Sequence, residues 1–314
     1  MRLAFVFCAL PLLVSLLSCR TINSSSQEKQ ETDDRSTGGR EQLQDVGDII
    51  NTWYNAQLKE ARLEVNPKGK AWTPELRQKL IDAMGRRTAA VRKGTGLGIH
   101  FKSLNFEIST LSEVEASLLE RLTPEANQIH FTSFKDSRYG NNSIGFPDAK
   151  FFSHVTKTTA DHSISPAIRV DETIFGLDKL GHFAEEGYWY YLAEKAGLLK
   201  GEKERLEFGQ FMEGSPNLDP SLHAKYKKIY GTYCKTCVVL GGFGYFGMAS
   251  TGVCSVADMM ANEDGYRFYE NLFSDPEKYV FDIRSFKISR WNESNSPNIY
   301  SPDLNISKEK AEGS

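Results

Sequence analysis

From Val46 onward, apolar residues recur at helical spacing. Val46, Ile49, Ile50, Trp53, Tyr54 and Leu58 share one face. Thr73-Pro74-Glu75 sets a capping hydroxyl before a proline at the first helical position. Leu76, Leu80, Ile81, Met84 and Val91 continue that stripe to about Gly94. Residues 94–98, GTGLG, form a turn; without a following Gly-Lys-Ser/Thr they are no phosphate loop. Ile99, Phe101, Leu104, Phe106 and Ile108 predict a short extended segment or hairpin, and Ser112 with Glu115 a capping box. IHFTSF, residues 129–134, reads as a strand. Leu177 to Lys195 reads as a helix, and Asp219-Pro220 opens another through about Tyr230. Ser255 to Asp258 is a capping signature for a helix running to about Phe273. Residues 241–247, GGFGYFG, are a glycine-aromatic loop. The expectation is a mainly α fold, a single helical domain over residues 43–291 with a few short strands.

The pattern breaks at both ends. MRLAFVFCALPLLVSLLSC has one positive residue, Arg2, and an apolar run from Leu3 to Leu17, too short to span a bilayer comfortably. It has the form of a secretory signal over residues 1–18. Leu16-Leu17-Ser18-Cys19 resembles the lipobox of bacterial lipoproteins. That resemblance implies cleavage before Cys19 and acyl chains on its thiol, which anchor the protein to a membrane. It also implies residence at the periplasmic face, and Arg20 in place of an aspartate points to the outer membrane. Residues 20–42 are polar, rich in Ser, Glu, Gln and Gly, so residues 19–42 read as a lipidated cysteine and flexible tether. Residues 292–314, with Pro297 and Pro302, read as a flexible tail.

Composition changes this picture little. The 314 residues are 40% hydrophobic, enough for a sizeable core, and carry a net charge of −3 with no basic patch. No nucleic-acid partner is expected; the partner would be the membrane and an envelope component.

The chemistry rests on two helices. On the Leu177–Lys195 helix, Leu177, Leu180, Phe183, Ala184, Tyr188, Tyr190 and Tyr191 take one arc. Asp178, His182, Glu185 and Glu186 take the other, with Trp189 among them and Lys179 at the border. On the helix from Ser255, Glu263, Asp264, Arg267, Glu270 and Asn271 mark a solvent side. Asp258 and Asn262 fall with Ala261, Gly265, Tyr266, Tyr269 and Leu272 on the inner side. A buried carboxylate needs a cation or several donors; His182, Lys179 and Arg169 are available. The two helices are therefore expected to meet through Asp178, His182, Asp258 and Asn262, with Glu185 or Glu186 at the edge. Three readings stay open. His182, Asp178 and Asp258 can bind a divalent metal. Asp178 can orient His182 as a general base. The group can also be a buried network that only fixes register.

Asp178-Lys179-x-x-His182-Phe183 resembles the D-K-x-x-H-F helix of bacterial envelope proteins, including VanZ-like proteins and small lipoproteins. VanZ-like proteins span the membrane several times, which this chain's pattern does not, so the resemblance carries no activity over. Cys234, Cys237 and Cys254 remain after processing. Val238 after YCKTC excludes a c-type haem motif. The expectation is a disulfide between Cys254 and Cys234 or Cys237, with a redox pair or a zinc site including His223 as alternatives. His154 and His162 are further loop histidines. A lysozyme-like reading would make Glu185 or Glu186 a general acid. Two functional classes result: an envelope hydrolase using His182 and carboxylates, or a non-catalytic binding or scaffold lipoprotein.

Overall fold

The computed structural model describes residues 43–90, 99–101, 106–108, 112–123, 126–129, 167–234, 243, 253–293, 295–296 and 299–300. It is mainly helical, as the periodicity predicts. Among the described residues the helices are α1 (Gly47–Val65), α2 (Pro74–Thr88), α3 (Glu113–Leu119), α4 (Asp178–Lys195), α5 (Gly201–Glu213), α6 (His223–Tyr233) and α7 (Val256–Ser274). Three two-stranded antiparallel ladders accompany them. They pair β1 (Ile99–Phe101) with β2 (Phe106–Ile108), β3 (Ala167–Val170) with β4 (Thr173–Gly176), and β5 (Val253–Cys254) with β6 (Ile299–Tyr300). No helix among these residues is long and apolar enough to cross a membrane.

Each helix start has a local cause. Thr73 Oγ1 accepts from the Leu76 amide ahead of α2, and Pro74 occupies its first turn. Ser112 and Glu115 form the full capping box of α3. Ser255 caps α7 through the Asp258 amide. The segment from Asp219 begins as a 3-10 turn, Pro220–Leu222, before α6 takes over. α2 ends at Thr88, short of the expected Gly94.

The core centres on α4, which packs most extensively on α7 and also meets α2 and α3. Tyr54 stacks on Phe281 with ring centroids 4.0 Å apart, and Phe183 lies 5.5 Å from Trp291. Trp189, which sat among the acids of the helical wheel, is buried against Tyr230. α4 and α7 touch backbone to backbone. A Cβ on Gly187 would stand 2.6 Å from Gly265 Cα, and one on Gly265 would overlap the Phe183 carbonyl. Only hydrogen at both positions permits that approach.

Two expectations need correction. The first concerns the solvent side assigned to α7. Glu263 and Asp264 are in fact buried, because α7 is enclosed by neighbours and twelve of its nineteen residues are buried. Glu263 takes two hydrogen bonds from Arg205, and Asp264 accepts from Trp291 Nε1 and Arg290. The second concerns the tail. The fold does not stop at Trp291: Glu293 and Ser296 are buried, and β6 pairs with β5. Buried polar partners hold this stretch where apolar residues are few.

Candidate functional site

α4 and α7 run in the same direction. Lys179 and His182 near the start of α4 meet Asp258 in the first turn of α7, and Lys195 at the far end meets Glu270. Two helix N-termini therefore lie at one end of the pair. Asp178 and Asp258 sit in the two first turns, where each macrodipole favours a carboxylate by about 0.3–1 kcal/mol.

Asp258 is the centre. It is fully buried, with Oδ1 2.8 Å from Lys179 Nζ and Oδ2 3.2 Å from His182 Nε2. Burial pushes its carboxyl up, but His182 and Lys179 outweigh that and hold it below the usual carboxylate range. Lys179 is itself fully buried rather than at the border of a wet face. Its ammonium also lies 3.3 Å from Asp178 and 3.2 Å from Glu293. His182 Nδ1 is 3.6 Å from Glu186 Oε2, so the imidazole stands between two buried acids. The side chains of His182 and Asp178 keep 12% and 20% of their exposure, and they are the members that reach solvent.

Further carboxyls surround this group. Burial and then the charge of Glu185 push Glu186 well above the normal range. Burial and the charge of Asp258 do the same to Glu213, whose Oε2 accepts from the Ser255 amide at 3.2 Å. Burial, then Glu115, pushes Glu185 up to about 8. Glu115 itself lies against the backbone at Gly181, where a Cβ would come 2.5 Å from its Oε2.

Asp178, His182 and Asp258 thus come together, each offering a ligand atom, all within 4.8 Å of one another. Glu186 joins through His182. Asn262 is buried but bonds Tyr190 OH at 3.4 Å, one turn further on. Arg169, the other cation considered for Asp258, lies on β3.

Glu213 and Glu293 were not foreseen. Glu213 follows Gly209 by one turn on the inner face of α5, a signal its periodicity carries. Glu293 lies in a polar stretch that gives no such signal. A cleft of about 220 Å³ lined by Asp264, Arg267, Asn271, Ser285, Phe286 and Lys287 lies further along α7 and shares no lining residue with the cluster.

The expected disulfide of Cys254 is not formed. Cys254 is a free, buried thiol, while Cys234 is disulfide-bonded to a partner outside the described residues. Cys254 sits on β5 directly before Ser255, a position fixed by the cap of α7. Cys19, Cys237, His154, His162 and all of residues 241–247 except Phe243 also lie outside the described residues.

No protein-family model matches this chain, and neither a curated protein nor a solved structure matches it.

Proposed function

We propose that this chain is a lipid-anchored envelope protein with a hydrolytic centre where α4 and α7 begin. The anchor reading rests on the apolar run ending at Ser18-Cys19 and the polar tether after it. It puts the domain at the periplasmic face, on the outer membrane. The observation that carries the hydrolytic reading is the setting of His182. Its ring is held between Asp258 and Glu186, and with Asp178 it reaches solvent while both acids behind it are buried. A titratable group held by buried partners and open on one edge is how a working residue is positioned.

The test is a screen of ester, phosphoester and peptide substrates with the mature protein. Turnover that disappears in a folded His182→Ala variant supports the reading; no turnover of any class removes it. The anchor is tested separately by fatty-acid labelling, which Cys19→Ala should abolish.

A second reading is favoured by Lys179. Its ammonium is fully buried among Asp258, Asp178 and Glu293, which is how a polar network that fixes helix register is built. In that reading the protein is a non-catalytic envelope binding or scaffold component.

A further inference from the structure

We propose that Asp178, His182 and Asp258 hold a divalent metal ion of the zinc or manganese type, with Glu186 as the carboxylate behind the histidine. This deepens the hydrolytic reading and rests on it for its purpose, though not for its geometry.

The distances come first. Ligand atoms about 2.1 Å from one ion stand about 3.0–3.4 Å apart at octahedral or tetrahedral angles. His182 Nε2 and Asp258 Oδ2 are 3.2 Å apart. Lys179 does not occupy that position, because it takes Asp258 through the other oxygen, Oδ1. It thereby fixes the carboxylate plane with Oδ2 turned to the imidazole. Asp178 completes the set within 4.8 Å and is the most exposed of the three, so it is the ligand able to move in.

Behind the histidine stands the partner a metal ligand needs. A ligating imidazole donates its other N–H to a carboxylate, which sets its tautomer. Nδ1 faces Glu186 Oε2 at 3.6 Å. Charge points the same way. Asp178, Asp258, Glu186, Glu213 and Glu293 surround one lysine, and a divalent ion offsets part of that excess.

An independent observation is Glu213. It is 1% exposed, its Oε2 is tied to the cap of α7, and its Oε1 has no hydrogen-bond partner among the described residues. Its nearest charged groups are those of the cluster, Asp258, Lys179 and Asp178. A buried oxygen left without a donor is costly. A water on the ion, in the position that three protein ligands leave open, would supply that donor.

The experiment uses the untagged mature protein, stripped with EDTA and titrated with zinc chloride and with manganese chloride by calorimetry. One ion per chain is expected. Asp178→Asn, a half-exposed position that should still fold, weakens binding at least about tenfold, and Glu186→Gln weakens it by about 10–100-fold. Unfolding curves of both variants confirm that the fold persists. No binding by the wild-type protein, or equal affinity in Asp178→Asn, overturns the site. Hydrolytic turnover that persists in EDTA also overturns the metal while leaving the hydrolytic reading intact. Stoichiometric binding without turnover of any substrate class supports the site and removes the hydrolytic reading.

Discussion

Lys179→Met tests how the polar centre is held together. The substitution keeps most of the volume and removes the charge. It strands Asp258 and Glu293, both buried, and leaves Asp178 without its neighbour. Breaking a buried pair from one side costs about 3–5 kcal/mol, a large part of a total stability of about 5–15 kcal/mol. Asp258→Asn should cost less. Lys179 then keeps Glu293 at 3.2 Å and Asp178 at 3.3 Å, so one of three close attractions is lost. At an effective dielectric near 20 the three are of similar gross strength, about 5 kcal/mol each before desolvation is counted. The net cost of Asp258→Asn should then be about half that of Lys179→Met. In the double variant the costs overlap, with a coupling of about 2 kcal/mol or more. Guanidinium unfolding at pH 7 in EDTA, with shared m values, reads all four proteins without any contribution from bound metal. Two results would refute the reasoning: a Lys179→Met loss under about 1 kcal/mol, or Asp258→Asn proving the more severe change.

Other expectations follow from other parts of the fold. Gly265→Ala should unfold the domain or lower its Tm steeply, since the added methyl overlaps the Phe183 carbonyl and neither backbone can yield cheaply; a Tm within 2–3 °C of wild type, roughly a 1 kcal/mol change, would contradict the close crossing. Glu185, with its carboxyl pushed up to about 8 by burial and Glu115, keeps a proton that the unfolded chain releases above its ordinary value of 4.5. Its contribution is therefore greatest near pH 4.5 and declines as pH rises toward 8, by at most about 1.4 kcal/mol per pH unit. Glu185→Gln should flatten that share of the decline in Tm between pH 5 and 8, and an unchanged slope counts against it. Truncation after Trp291 removes Glu293 and β6, and a loss of about 3 kcal/mol would lower Tm by about 6–12 °C. The Cys254 thiol, buried and pushed up by desolvation, should ignore a thiol reagent until the domain unfolds, with Cys254→Ser as the reference.

Much of this was legible in the chain because its signals are local. The 3.6-residue period and the caps at Thr73, Ser112 and Ser255 set α1, α2, α3 and α7 within a few residues. Placing Asp258 on an apolar face was enough to require a cation, and His182 and Lys179 answer that need. The rest depended on distant partners. A helical wheel treats Glu263 and Asp264 as wet because it cannot show that Arg205 and Trp291 arrive from other elements. Glu293 lies in a stretch with too few apolar residues to announce packing. The Cys254 pairing was inferred from the number of cysteines, which carries no geometry.

The contact between Gly187 and Gly265 gives the helix pair a fulcrum. Along the axes His182 lies about 7.5 Å from it and Asp258 about 10.5 Å. A relative swing of about 5° would displace groups at those radii by about 0.7–0.9 Å, more than a catalytic or metal site tolerates. What resists the swing is at the opposite end of the lever. There Arg205 from α5 bridges Glu194 on α4 to Glu263 on α7, and Lys195 grips Glu270. The stiffness of the working end is thus set by a clasp about 18 Å away along α4. Arg205→Met, which touches none of the site residues, should loosen the spacing of His182 and Asp258, and a shift of the His182 ring signals in NMR spectra would register it.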